Sequence, residues 1–284
     1  MSMASEAPAP FVWNQVRVSN WGELIRELHG SSVVPQSAQA GGHFRSPFLF
    51  RGMSAADWPL KTSLERLGSP PEQIEEAALR AFAKYSPMST FQRHSEWERI
   101  AVAQHNGLPT RVLDWTASPL VAAHFATCES QHFDKDGVVW CVDVTSLRNE
   151  VLPKPLRSQL SDSHAWVYDV RLLESHYPTL SHFDEIRGLA GDVLIFIEPP
   201  SIDARIQNQF GLLSMLNGAS LSHDDYLRTI SKSHPHIVRR VVIDKSAKPE
   251  IRDMLDQNNI TERMLFPGLP GLCDWLKRYY GPAK

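Results

Sequence analysis

The stretch at residues 104–126, QHNGLPTRVLDWTASPLVAAHFA, restricts the fold of this chain more than any other part of the sequence. Upstream of it, Ser95 and Glu98 form a capping box, which marks the start of a helix. Gly107 can adopt the left-handed conformation that ends such a helix. We therefore predict a helix over residues 96–106, with the first residues of the stretch in its last turn.

The middle of this stretch predicts a strand followed by a second helix. Pro109 requires extended backbone, and the β-branched and aromatic residues after it favour a short strand over residues 110–115. Ser118 before Pro119 is typical of a helix N-cap and first turn. Burying many polar groups without a ligand requires a complete internal hydrogen-bond network, so the polar residues of the stretch are candidates for a binding site: Gln104, His105, Asn106, Thr110, Arg111, Asp114, Thr116 and Ser118.

Two further segments offer polar groups at strand ends. Phe48 begins a short apolar run that ends in Arg51 and Gly52. A guanidinium there can bind phosphate or carboxylate in a bidentate manner, and the glycine lets a ligand approach the backbone; pairing with a carboxylate at the edge of the core is the alternative. In residues 204–213, ARIQNQFGLL, three polar side chains share one face if the segment is extended: Arg205, Gln207 and Gln209.

Composition and charge exclude several classes of protein. The chain has 284 residues, 42% of them hydrophobic, and a net charge of -3, so no overall electrostatic attraction to nucleic acid or to an anionic membrane is expected. The three cysteines are widely spaced and the apolar runs are too short to span a bilayer, which predicts a cytoplasmic protein with no membrane partner. We predict an N-terminal extension with one amphipathic helix at residues 1–40 and one domain at residues 41–284.

Several common sites are absent from the sequence. The twelve histidines are scattered without an HExxH motif or a cysteine partner, so no metal is expected. There is no GxSxG elbow, no GxxxxGK[ST] loop and no GxGxxG fingerprint. A nuclease or nucleotide hydrolase using Asp114 and His105 is disfavoured, because no second carboxylate lies at metal-binding spacing.

The sequence resembles the FRG domain, a bacterial and phage family named for a Phe-Arg-Gly tripeptide. The resemblance depends on Phe50-Arg51-Gly52, on the stretch at residues 104–126 and on ARIQNQFGLL, and it extends to residues 266–269. The chain is similar, more distantly, to ADP-ribosyltransferases. Those enzymes present, in chain order, an Arg on an early strand, a Ser-Thr-Ser type strand followed by a helix, and a late Glu-x-Glu.

The corresponding residues of this chain are Arg51, the segment Trp115-Thr116-Ala117-Ser118 and Gln207-Asn208-Gln209, where amides replace both carboxylates. A neutral Gln209 holds a ribose hydroxyl but supplies no charge to the cationic sugar of the transition state, so Asp114 or Glu198 would have to provide the carboxylate. The resemblance implies catalytic roles for Arg51, His105, Asp114, Thr116 and Gln209. It implies cofactor-binding roles for Arg51, Gln104, Thr110, Arg111, Trp115, Ser118, Arg205 and Gln207.

From the resemblance we expect an α+β fold: a mixed, mostly antiparallel sheet, split around a cleft and flanked by helices, like that of ADP-ribosyltransferases. The implied function is that of an NAD-dependent ADP-ribosyltransferase or NAD glycohydrolase, acting as an intracellular toxin or in phage defence. NAD would be a substrate, the acceptor a nucleic acid or a protein, and an antitoxin or inhibitor protein a further partner. The alternative is a non-catalytic module that binds a nucleotide or a partner protein through a degenerate site.

Overall fold

A computed structural model describes residues 11–30, 46–91, 93, 95–186 and 191–281 of the chain. These residues form an α+β fold around one mixed sheet, as predicted. The sheet has eight strands: β1 (Gln15–Val18), β2 (Phe48–Met53), β3 (Leu113–Thr116), β4 (Gly137–Asp143), β5 (Tyr168–Asp169), β6 (Leu194–Glu198), β7 (Gly211–Leu216) and β8 (Val238–Ile243).

The strand order is β1-β8-β4-β2-β3-β7-β6-β5. The outermost pairs, β1 with β8 and β5 with β6, are parallel, and all other neighbours are antiparallel. The predicted mostly antiparallel sheet is therefore confirmed. The strand predicted over residues 110–115 begins later than expected, at Leu113, because the preceding residues belong to the loop that follows a helix.

The helices flank the sheet, and several of them begin where the sequence predicts. Ser95 Oγ accepts a hydrogen bond from the Glu98 N–H at 3.1 Å, and Ser118 Oγ accepts one from the Val121 N–H at 3.4 Å. The helices of the described residues are α1 (Trp21–Gly30), α2 (Pro71–Tyr85), α3 (Glu96–His105), α4 (Pro119–Thr127), α5 (Val144–Ser146, continued by a π-helical turn), α6 (Lys154–Asp162), α7 (Val170–His176), α8 (Leu180–Asp184), α9 (Ala204–Asn208), α10 (His223–Ser233), α11 (Lys248–Gln257), α12 (Glu262–Leu265) and α13 (Leu269–Tyr279).

The two faces of the sheet are covered differently. One face carries a single apolar cluster that extends across the strands and includes Trp115, Trp140 and Leu227 of α10. The opposite face carries two clusters. One, with Phe50, lies on β2, β4 and β8 under α1, α4 and α11; the other, with Ile195, lies on β5, β6 and β7 under α3, α6, α7 and α8. The strand between these two clusters is β3, whose side chains Asp114 and Thr116 alternate with those of the buried Leu113 and Trp115.

The sheet splits between β2 and β3. Their only paired residues are Phe50 and Thr116, whereas β2 follows β4 along its whole length and β3 follows β7 along its whole length. Beyond Phe50, therefore, the two halves of the sheet separate, and the gap opens between the two clusters on the divided face.

Glycine 52 allows α4 to lie directly on β2. A Cβ built on Gly52 would lie 1.9 Å from the carbonyl oxygen of Ala122 in α4, and one built on Gly137 of β4 would lie 2.5 Å from that of Ala126. Both distances are far below van der Waals contact. The space left by the absent Gly52 side chain is therefore filled by helix backbone rather than by a ligand, although Gly52 also lines the cavity between β2 and β3.

The N-terminal segment contributes to the same sheet. The predicted boundary between residues 40 and 41 lies outside the described residues. Before it, β1 pairs with β8, and Leu24 and Leu28 of α1 are buried in the cluster that contains Phe50.

The segment at residues 150–190 lies between β4 and β6 in the chain. Its described part contains α6, α7 and α8, which bury Leu156, Leu173 and Phe183 against β5, β6 and β7. Within the described ranges, none of the helices combines the length and the hydrophobicity that a bilayer crossing demands.

Candidate functional site

A cavity of about 230 Å³ opens at the split between β2 and β3. One water molecule needs roughly 10–15 Å³ on the same scale, so this space holds a ligand of many atoms. Strands β2, β3 and β7, the end of α3 and the short helix α9 all contribute to its wall. The predicted site residues that line it are Arg51, Gln104, His105, Asp114, Trp115, Thr116, Arg205 and Gln209.

Arg51 spans the gap where the two strands separate. Its Nη1 donates a hydrogen bond to the backbone carbonyl oxygen of Asp114 at 2.6 Å, in place of the lost strand pairing. Its Nε is buried without a partner, and no carboxylate among the described residues lies within ion-pairing distance of the guanidinium. Burial lowers the pKa of Arg51, and the negative charge of Asp114 opposes that effect. Because an arginine pKa starts so high, the group keeps its charge.

Arg205 adds a second cation to the wall of the cavity. Its guanidinium stacks over the Phe266 ring, 4.9 Å from the ring centre. The Nε of Arg205 is also buried without a partner, and within the described ranges Arg205 forms no ion pair. Two guanidinium groups without carboxylate partners thus line one cavity, which favours an anionic ligand.

Asp114 presents a carboxylate to this cavity. Its Oδ2 accepts a hydrogen bond from Gln104 Nε2 at 3.0 Å, and Gln104 Oε1 accepts one from Thr110 Oγ1 at 2.5 Å. Because an ionised carboxylate only accepts hydrogen bonds, the Gln104 amide nitrogen faces Asp114, and its oxygen accepts from the Thr110 hydroxyl. The Asp114 side chain is otherwise exposed to the cavity.

His105 is paired with a residue that the sequence did not single out. Its Nε2 lies 2.8 Å from Oδ2 of Asp203, the N-cap residue of α9. Burial alone would raise the pKa of Asp203, but hydrogen bonds from His105 and from the first N–H groups of α9 hold it below its ordinary value. Asp203 could have been recognised as a helix cap, but we considered only the extended alternative for this segment.

Three other predicted residues build the wall of the cavity. Thr116 Oγ1 donates to the carbonyl oxygen of Gln209 at 2.6 Å and accepts from the Ser118 N–H at 2.9 Å. Trp115 is buried, and its Nε1 donates to Ser214 Oγ at 2.8 Å. These side chains hold β3, β7 and the start of α4 together around the site.

Helix α12 supports the wall from behind. Gln209 Nε2 donates to the carbonyl oxygen of Leu265 at 3.0 Å, which leaves the Gln209 Oε1 for a ligand. Glu262 anchors this helix through ion pairs with Arg252 at 3.2 Å and Arg278 at 2.8 Å. Burial alone would raise the pKa of Glu262, but the hydrogen bonds from Arg278 and the charge of Arg252 lower it to about 2.

Four predicted binding residues do not line the cavity. Arg111 is buried in an ion cluster, 2.5 Å from Glu75 and 2.6 Å from Asp184. Thr110 lies behind Gln104, and Ser118 caps α4. The fourth residue is Gln207.

The extended backbone that would place the three polar side chains on one face does not occur around Gln207. Residues 204–208 form α9, so Arg205, Gln207 and Gln209 do not share one face, and Gln207 is exposed to solvent. The Asp203 cap accounts for the helix, because its Oδ1 accepts hydrogen bonds from two backbone N–H groups at the helix start. Glu198 does not line the cavity either; its Oε1 accepts a hydrogen bond from Trp166 Nε1.

Over the part of the chain that the structure describes, no group of three or more His, Cys, Asp or Glu side chains is arranged to hold a metal ion.

Comparison with known proteins gives one match. The family model of the FRG domain matches residues 46–135, which include Arg51 and the whole of residues 104–126. Asp203, Arg205 and Gln209 lie beyond this match. No curated protein and no solved structure matches the chain. The match shows an FRG domain at residues 46–135 of this chain.

Proposed function

We propose that the cavity binds NAD and that the protein is an ADP-ribosyltransferase or NAD glycohydrolase. One observation carries this proposal: Arg51 and Arg205, which have no carboxylate partner among the described residues, share a cavity with the exposed carboxylate of Asp114. A ligand that suits this arrangement carries negative charge at one end and develops positive charge at the other. NAD has both properties, in its diphosphate and in the sugar that loses nicotinamide.

The two arginines would hold the diphosphate. A guanidinium binds phosphate oxygens through parallel N–H groups and carries its charge at any physiological pH. Arg51 is already fixed by the Asp114 carbonyl, and Arg205 by the Phe266 ring, so little side-chain freedom is lost when the ligand binds.

Asp114 would stabilise the transition state. As nicotinamide leaves, positive charge develops on the ribose, and a preorganised carboxylate lowers the energy of that charge. Gln209 is neutral and Glu198 lies outside the cavity, so of the two carboxylates that the sequence suggested, Asp114 remains. Thr116 and the free Oε1 of Gln209 would orient the ribose hydroxyls.

Consumption of NAD suggests the biological setting. An enzyme that destroys or transfers NAD inside a cell is harmful, which fits an intracellular toxin or a phage-defence effector in the cytoplasm. Such an effector requires an antitoxin or inhibitor protein as a partner. Its acceptor would be a protein or a nucleic acid if it is a transferase.

A second candidate is a module that binds a nucleotide or a partner protein without catalysis. The observation in its favour is that the Thr116 hydroxyl and the Gln209 amide nitrogen are both engaged by the protein itself. A site whose polar groups serve the fold binds a ligand but contributes less to the transition state.

The test uses purified protein and NAD labelled on the adenylate, with and without cell lysate. We expect nicotinamide release or label transfer in the wild type. In Arg51→Ala we expect affinity about tenfold to a hundredfold weaker, as for a lost hydrogen bond to a charged group. Arg80→Ala is the matched control, because Arg80 lies on the surface of α2 away from the cavity.

The outcomes separate the candidates. Turnover that depends on Arg51 but not on Arg80 supports the enzyme. Binding of NAD without turnover supports the module. If the folded wild-type protein neither binds NAD nor turns it over, both proposals for NAD are contradicted.

A further inference from the structure

We propose that Asp203 is a positioning residue that makes His105 the general base for a water nucleophile in this cavity. The inference rests on the proposed NAD chemistry. It assigns the chemical step to a pair of residues that are far apart in the sequence, and it makes hydrolysis the reaction of the purified protein.

The Asp203 carboxylate is held rigidly by the helix that it caps. Its Oδ1 accepts hydrogen bonds from the N–H groups of Arg205 at 2.9 Å and Ile206 at 3.3 Å. Its Oδ2 lies 2.8 Å from Nε2 of His105. Both oxygens are thus bound, and the helix start fixes the direction in which the carboxylate meets the imidazole ring.

This contact determines the tautomer of His105. An ionised carboxylate only accepts hydrogen bonds, so Nε2 of His105 must carry the hydrogen. In the neutral ring the lone pair then lies on Nδ1. That atom has no hydrogen-bond partner among the described residues and is not one of the buried unpartnered atoms, and His105 lines the cavity. The basic nitrogen is therefore not engaged by the described residues, and it belongs to a residue that lines the cavity.

The two carboxylates of the site have different neighbours and hence different roles. Asp114 receives a hydrogen bond from the neutral amide of Gln104, and its charge remains available to a cationic sugar. Asp203 receives its hydrogen bond from an imidazole and orients a base. Gln104 and His105 are consecutive in the last turn of α3, so one helix end connects both functions.

His105 Nδ1 takes one proton from water while the water oxygen forms a bond to C1′ of the ribose. The bond between C1′ and the nicotinamide nitrogen breaks, and its electron pair leaves with nicotinamide, which neutralises the pyridinium charge. The products are ADP-ribose, nicotinamide and a proton on His105, which is then released to solvent.

The first experiment reads the tautomer directly. Nitrogen-15 NMR of histidine-labelled protein, with His105 assigned through His105→Ala, should show hydrogen on Nε2 and a bare Nδ1. In Asp203→Asn, the Asn side chain retains an oxygen for the helix cap and turns an N–H group toward Nε2, so the hydrogen should move to Nδ1. The same tautomer in both proteins would overturn the inference.

The second experiment measures nicotinamide and free ADP-ribose from purified protein. We expect Asp203→Asn and His105→Ala each to be about a hundredfold slower or more, the range typical of a lost general base. The matched control is Asp169→Asn, since Asp169 Oδ1 accepts a hydrogen bond from an N–H group in the first turn of α7 and the residue does not line the cavity. Thermal unfolding of each variant shows whether it is folded.

The outcomes distinguish the two levels of the proposal. A wild type that shows no NAD turnover contradicts the proposed function and, with it, this inference. A wild type that hydrolyses NAD, with Asp203→Asn or His105→Ala equally fast, overturns the inference alone. Transfer of label to lysate macromolecules without hydrolysis overturns the assignment of water and leaves the proposed function standing.

Discussion

The packing of α4 on β2 predicts that Gly52→Ala destabilises the protein. An added Cβ would lie 1.9 Å from the Ala122 carbonyl oxygen, 2.7 Å from the Ala126 nitrogen and 2.9 Å from the Ala122 carbonyl carbon. All three atoms are helix backbone, which has no rotamer to change. The helix as a whole must therefore move away from the strand.

The size of the effect follows from that distance. Restoring an ordinary separation of about 3.5 Å requires a displacement of about 1.6 Å. Overpacking a core costs about 1–3 kcal/mol, and a clash with backbone belongs at the upper end of that range. For a chain of this size each kcal/mol lowers Tm by about 2–4 °C, so we expect Tm to fall by about 6–12 °C.

Thermal unfolding followed by circular dichroism measures this shift. Gly22→Ala is the matched control, because the nearest atom to its added Cβ is Asn20 Oδ1 at 3.5 Å and the residue lies in α1. An Ala there improves helix propensity, so its Tm should equal or exceed that of the wild type. A Gly52→Ala protein with wild-type Tm that no longer binds NAD would refute the packing explanation and restore the idea that a ligand needs this glycine.

Three further changes test the surroundings of the cavity. Arg111→Met should lower the free energy of unfolding by about 3–5 kcal/mol in urea titrations, because two carboxylates lose their buried partner, while the NAD affinity of the folded protein stays unchanged. Thr110→Val should lower the free energy of unfolding by about 1 kcal/mol and slow NAD turnover, since the Gln104 amide oxygen loses its donor and the amide is held less firmly against Asp114. The pKa of Glu262 is lowered to about 2, so its stabilising effect is complete above its ordinary pKa and is lost as the pH falls toward 2. The free energy of unfolding, measured in urea, should therefore differ between wild type and Glu262→Gln by about 3 kcal/mol less at pH 2 than at neutral pH. A difference that does not change with pH would contradict the ion-pair assignment.

The sequence alone was sufficient for features that depend on neighbouring residues. Ser95 and Ser118 marked helix starts because a cap bonds to backbone two or three residues away. The order of helix, strand and helix in residues 104–126 followed from proline, glycine and β-branched positions. Arg51, Gln104, His105 and Asp114 were identified as site residues because their polar groups stand at the ends of predicted elements.

Only the tertiary structure determined which of these groups meet. Asp203 is distant from His105 in the sequence, and their contact depends on β6 and α3 lying on the same side of the split sheet. Arg111 and Arg51 had the same predicted role in cofactor binding. Packing buries Arg111 in the protein interior, where it pairs with Glu75 and Asp184. A glycine is required at position 52 because the backbone of α4 packs against it, and no local sequence pattern predicts that contact. Side-chain partners depend on which strands are neighbours, and strand order is set by the burial of the whole apolar surface rather than by any short segment.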